Sequence, residues 1–142
     1  MNKIKNFFLI FILTIFFIQI TYAKNSYFNE GEKLFKEKKF SQSKYNFEKD
    51  IVFNPKNEKS YLYLAKIFKQ EKKTDLEENN LNTVILINPK NEEAIYLLTL
   101  LSIKKSNFDK AKDLIDTFDN ICVKSCFLKE ELLRELETSS KQ

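Results

Sequence analysis

The chain of 142 residues has no histidine, no tryptophan, one glycine, two prolines and two cysteines. Each shortage closes a route. Without histidine, the usual general base, triad partner and metal ligand are missing. With Gly31 alone, a glycine-rich phosphate loop is excluded, and tight hairpin turns have few residues tolerant of positive φ to draw on. Cys122 and Cys126 do not form a Cys-x-x-Cys pair, which speaks against a redox motif or a metal site. The carboxylate pairs Glu77-Glu78, Glu92-Glu93 and Glu130-Glu131 put neighbours on differing faces of a helix and read as solvated. No catalytic residue, metal or cofactor is expected, and a cleft built from scattered carboxylates is the one enzymatic opening left.

The N-terminus reads as an address. Lys3 and Lys5 precede an apolar run from Phe7 to Ile20, broken only by Thr14 and Gln19. Thr21-Tyr22-Ala23 offers small residues where a signal peptidase reads, so residues 1–23 are expected to be an export signal cleaved after Ala23. The run is short of the about 20 apolar residues of a membrane span, and an uncleaved N-terminal anchor is the alternative. Cleavage leaves 119 residues, enough for one compact domain, and lowers the formal charge from +4 to +2. Lys and Glu are mixed through Glu30, Glu32, Lys33, Lys36 and Glu37, the pattern of a solvated face, so nucleic acid is not an expected partner.

What the chain has is helical periodicity and a repeat. Apolar and small residues recur at three- and four-residue steps in Tyr27, Gly31 and Leu34, in Phe40, Ser43, Phe47 and Ile51, and in Tyr61, Leu64, Ala65 and Phe68. Asn54-Pro55-Lys56-Asn57 returns as Asn88-Pro89-Lys90-Asn91 after 34 residues. A residue before proline is barred from helical torsions, so these motifs end one helix, and Asn57 or Asn91 can cap the next. Glu58, Glu92 and Glu93 then fall in a first turn, where the helix dipole favours negative charge. A step of this length fits one antiparallel helix pair that buries its apolar side by stacking on a copy of itself.

Superposed at that step, Tyr27, Tyr61 and Ile95 coincide, as do Gly31, Ala65 and Thr99, then Ser43, Glu77 and Ala111, then Phe47, Leu81 and Ile115. Pro55 and Pro89 close their units, with Val123 at the third equivalent point. The chain resembles the tetratricopeptide repeat, in which a small residue on each helix lets the two approach and a large one fills the gap beside it. The resemblance implies an all-α, right-handed superhelical solenoid of helix-turn-helix repeats at 24–57, 58–91 and 92–123. Three positions depart from the family pattern: Glu77 stands for a small residue, Asp50 for alanine, Ile95 for an aromatic. A one-residue shift that packs Leu76 in place of Glu77 would accommodate the first of these.

Beyond the repeats, Phe127, Leu128, Leu132, Leu133 and Leu136 predict a capping helix over 124–138, with a polar tail at 139–142. Cys122 and Cys126 fall at the turn before it, and in an oxidising compartment they can bridge; two buried thiols are the alternative.

The resemblance also implies a groove lined by the first helices of successive pairs, here Phe28, Glu32 and Phe35, Leu62, Lys66 and Lys69, and Tyr96, Leu100 and Ile103. Phe28 and Glu32 stand where some relatives carry the lysine and asparagine of a carboxylate clamp, which speaks against one. Apolar anchors flanked by Lys66 and Lys69 suit an amphipathic helix or extended peptide. The same residues could instead pack on the chain's own N-terminal segment or on a second copy. The expected function is a non-catalytic protein-binding adaptor of the bacterial cell envelope, in the periplasm or at the cell surface. A self-associating module, with a homo-oligomer, and a carrier of an apolar small molecule are the alternatives. No membrane contact is expected after cleavage.

Overall fold

The computed structural model describes residues 27–141; the expected export signal at 1–23 and its expected cleavage point lie outside the described residues. The described residues open in a helix at 27–36 (α1), followed by α2 (Phe40–Phe53), α3 (Glu58–Gln70), α4 (Thr74–Ile87), α5 (Glu92–Lys104), α6 (Phe108–Ile121), a short 3-10 turn (Cys126–Leu128) and α7 (Lys129–Ser140). No strand occurs among them. Helix starts at Phe40, Thr74 and Phe108, and ends at Phe53, Ile87 and Ile121, keep the 34-residue step of the sequence. The residues before proline, Asn54 and Asn88, have φ near −137° and −136°, so the steric rule for pre-proline residues sets these ends. Asn91 caps α5 by accepting from the Ala94 amide at 2.9 Å, and Asn107 caps α6 through Lys110.

Where one compact domain was expected, the chain clusters into two compact units that divide within α3, between Ser60 and Tyr61. Stacked helix pairs touch only their neighbours, so their contacts are local. In the first unit, Gly31 meets Phe47: a Cβ on Gly31 would sit 2.8 Å from the Phe47 ring, and Ser43 Oγ donates to the Gly31 carbonyl at 2.8 Å. Tyr27 stacks on Phe53 with ring centroids 5.8 Å apart. Asp50, in place of the family's alanine, is buried and stays polar: its Oδ2 accepts from Ser60 Oγ at 2.5 Å and from the Asn57 amide at 2.6 Å. Two hydrogen bonds to Oδ2 offset part of the cost of burying the carboxylate, while Oδ1 is buried with no partner among the described residues.

In the second unit, one core joins Leu62 and Ala65 of α3, Leu81 and Val84 of α4, and Ala94, Leu98 and Leu101 of α5. A second joins Ile95, Ile115 and Phe118 with Leu132 of α7. Across α4, α5 and α6, Glu78 accepts from Lys105 at 2.7 Å and from Lys110 at 2.6 Å, which holds its carboxyl below the usual range. The capping helix forms, with two corrections. Leu128, Leu132 and Leu136 face the core while Phe127 and Leu133 are exposed, because residues adjacent in sequence cannot share one helix face. The helix also continues to Ser140, into the stretch expected as tail.

The link into α7 is closed by a Cys122–Cys126 disulfide, Cα atoms 5.2 Å apart. Glu92 in the first turn of α5 accepts from the Val123 amide at 2.8 Å and the Ser125 amide at 2.9 Å, and these amides hold its carboxyl below the ordinary value.

Three turns share a feature that composition hid. Lys38, Lys72 and Ser106 have φ of 59°, 57° and 57°, one in the turn of each helix pair. Around each, paired backbone bonds (Lys39 to Leu34, Lys73 to Phe68, Asn107 to Ser102) close the helix end in the left-handed manner that glycine usually supplies. A side chain there costs roughly 1 kcal/mol. Lys72→Gly is therefore expected to raise stability by about 0.5–1 kcal/mol in denaturant unfolding, with a larger unfolded-state entropy taking back part of the gain. A loss of stability would mean that the lysine stem contributes packing that outweighs the strain.

Candidate functional site

The nine residues expected to line a groove divide between the units: Phe28, Glu32 and Phe35 in the first, the other six in the second. Phe28 lies against Phe47 with centroids 5.9 Å apart, Phe35 sets its edge on Phe40 at 5.4 Å, and Glu32 pairs with Lys36 at 3.4 Å.

In the second unit, four of the six are already engaged. Leu62 and Ile103 are 8% and 4% exposed and belong to the interior, a correction to their expected role as contact residues. Leu62 is buried because α3 packs against both α4 and α5, and Ile103 lies on α5, which packs against α4, α6 and α7; each buried arc is wider than a single stripe. Lys66 closes an ion pair with Glu93 at 2.6 Å. Tyr96 lies near Phe118, centroids 6.4 Å apart, and its hydroxyl donates to Glu131 of α7 at 2.9 Å. Burial, then the Glu131 bond and charge, push its phenol up to about 12. Tyr96 thus anchors the chain's own capping helix.

Lys69 and Leu100 remain, and the structure brings them together. They line a cleft of about 90 Å³ with Glu77, Leu97, Leu101 and Lys104. Lys69 comes from the last turn of α3, Glu77 from the first turn of α4, and the leucines and Lys104 from α5. The register shift that would have packed Leu76 inward does not occur: Leu76 is 43% exposed and Glu77 5%. Glu77 keeps the close-contact position that Ser43 and Ala111 hold in the other pairs, and its longer side chain lines the cleft. Burial raises its carboxyl above the usual value, and the charges of Lys69 and Lys104 oppose that rise. Among the described residues no hydrogen bond reaches this carboxylate and neither lysine closes an ion pair with it. The sequence reads Glu77 as a departure from the family pattern and, beside Glu78, as a solvated carboxylate; its burial corrects the second reading, and the signal available was an acid at a position where the other two pairs carry Ser and Ala.

Among the described residues, no cluster of His, Cys, Asp and Glu could hold a metal ion, and no helix is long and apolar enough to cross a membrane.

In sequence, no family model and no curated relative matches the chain. Solved structures do match in fold. The first tetratricopeptide domain of Spaghetti, bound to an HSP90 peptide, aligns over 84% of this chain and 94% of its own at TM-score 0.74 and 17% identity. The Yersinia enterocolitica type III secretion chaperone SycD, in complex with a peptide of the translocator YopD, aligns over 82% and 92% at TM-score 0.71 and 12% identity. A tetratricopeptide repeat protein from Parabacteroides merdae aligns over 83% of this chain and 46% of its own at TM-score 0.76 and 21% identity. The chain has the tetratricopeptide-repeat fold.

Proposed function

We propose that this protein is a non-catalytic adaptor that binds a peptide or helix of a partner protein along the face of α3 and α5 where the Lys69–Leu100 cleft opens. The observation that carries the reading is the cleft itself: apolar leucines, two exposed ammonium groups and a buried carboxylate, on helices of a fold whose solved examples include two with a peptide bound. A peptide supplies apolar side chains for the leucines and backbone or acidic acceptors for the lysines. Lys3, Lys5, the apolar run Phe7 to Ile20 and Ala23 support the reading that the adaptor works in the bacterial envelope, in the periplasm or at the cell surface.

Affinity capture from envelope extracts, comparing the parent with the Lys69→Glu, Lys104→Glu double variant, tests both parts. Both lysines are exposed, and because the new glutamates would face Glu77, the helical signal of the variant is measured beside that of the parent. The expected result is a polypeptide enriched by the parent and lost from the variant. Equal enrichment by both proteins would remove the cleft as the binding surface, and tagged protein found only in the cytoplasmic fraction would remove the envelope assignment.

A further inference from the structure

The cleft beside Leu100 holds an acceptor without a donor and donors without an acceptor. Glu77 is nine-tenths buried and takes no hydrogen bond among the described residues, while Lys69 and Lys104, which line the same cleft, are exposed and close no ion pair there. Leu97, Leu100 and Leu101 supply the apolar wall. The carboxylate opens on a mostly enclosed cleft, where a ligand donor that replaces water forms its bond in a lower dielectric and gains more than the same bond would give at the open surface.

Three side-chain chemistries of suitable length can be compared against this set. A guanidinium or ammonium would satisfy Glu77 and leave two lysines facing a like charge. A carboxylate would satisfy the lysines and confront Glu77 at close range. A primary amide does both: its N–H groups donate to the carboxylate, its carbonyl accepts from an ammonium, it adds no charge, and a short methylene stem lies on the leucines. We propose that the cleft is an amide-selective subsite, which takes a glutamine or asparagine side chain of the bound peptide. This rests on the adaptor reading for the peptide, and on the cleft's own geometry for the amide.

The test uses small probes, so that it reads the cleft without a partner. With methyl-labelled leucine, propionamide, propionate and propylguanidinium are titrated into the full chain. Propionamide is expected to shift the Leu97, Leu100 and Leu101 methyls in the millimolar range, the affinity open to a probe this small, with the two charged analogues weaker by about fivefold or more. Glu77→Ala should fold, since Ser43 and Ala111 occupy the equivalent position, and should lose that preference. Glu77→Gln, which keeps the shape and removes the negative charge, should bind propionate better than the parent does.

Propionate or propylguanidinium outcompeting propionamide on the parent, or propionamide binding unchanged in Glu77→Ala, would overturn the assignment. Either failure would leave partner capture by Lys69 and Lys104 intact. No polypeptide enriched by the parent over the double variant, with amide selectivity retained, would instead count against the adaptor.

Discussion

Phe47→Ala is expected to cost about 3–5 kcal/mol in denaturant unfolding, the range for removing a fully enclosed aromatic side chain. Phe47 is 0% exposed, and its ring fills the space that Gly31 leaves open on the facing helix. The pair is a lock of one small and one large residue, so damage from either side should be detectable. Gly31→Ala drives a methyl to 2.8 Å from the ring and forces it to shift, at a cost of roughly 1–3 kcal/mol for overpacking. Because the alanine methyl then occupies part of the space the ring has vacated, the double variant should be more stable than the sum of the two losses implies. A cost below about 1 kcal/mol for Phe47→Ala, or strict additivity, would show that α1 and α2 are held by something other than this contact.

That lock was legible because it depends on residue size at a fixed spacing, which a sequence displays directly. The helix starts at Phe40, Thr74 and Phe108 follow from the same spacing together with the pre-proline stops. What escaped depends on competition between neighbours. The left-handed turns at Lys38, Lys72 and Ser106 carry no glycine, so nothing in composition marked them, and they persist because the two helices they join are fixed by packing. Asp50 and Glu77 read as departures from a pattern of small residues; in the structure Asn57 and Ser60 donate to one oxygen of the first, while the second faces the charges of Lys69 and Lys104 with no hydrogen-bond donor among the described residues.

The expected groove failed to stay whole for a related reason. Position relative to Tyr61 and Ile95 gives direction around one helix and not the number of helices packed against it. Leu62 is drawn into the core between α3, α4 and α5, and Tyr96 is taken by Glu131 of α7. Lys69 and Leu100 remain at the cleft.

Leu132→Ala is expected to cost about 2–5 kcal/mol and to release α7 as a unit. Leu132 is fully enclosed by Ile95, Ile115 and Phe118, whereas Leu133, one residue on, is 40% exposed. The remaining ties are the half-buried Leu128 and Leu136, the Tyr96–Glu131 hydrogen bond and the Lys129–Asp119 ion pair at 2.7 Å, whose lysine and carboxylate are both partly solvated. Such partly exposed polar links contribute roughly 1 kcal/mol or less each, and a helix of 12 residues is marginal once detached, so loss of its one enclosed anchor should melt it. Hydrogen exchange across 129–140 should accelerate while α5 and α6 keep their protection. The Tyr96 phenol gives a second reading: burial and Glu131 push it up to about 12, and both causes vanish when α7 leaves, so its titration, followed on the ring by NMR, should move down toward the ordinary tyrosine range. Leu133→Ala should stay within about 0.5 kcal/mol of the parent and leave Tyr96 unmoved. Equal effects from the two leucines, or a Tyr96 titration unchanged by Leu132→Ala, would mean that α7 is held by its disulfide-closed link and not by the core beneath it.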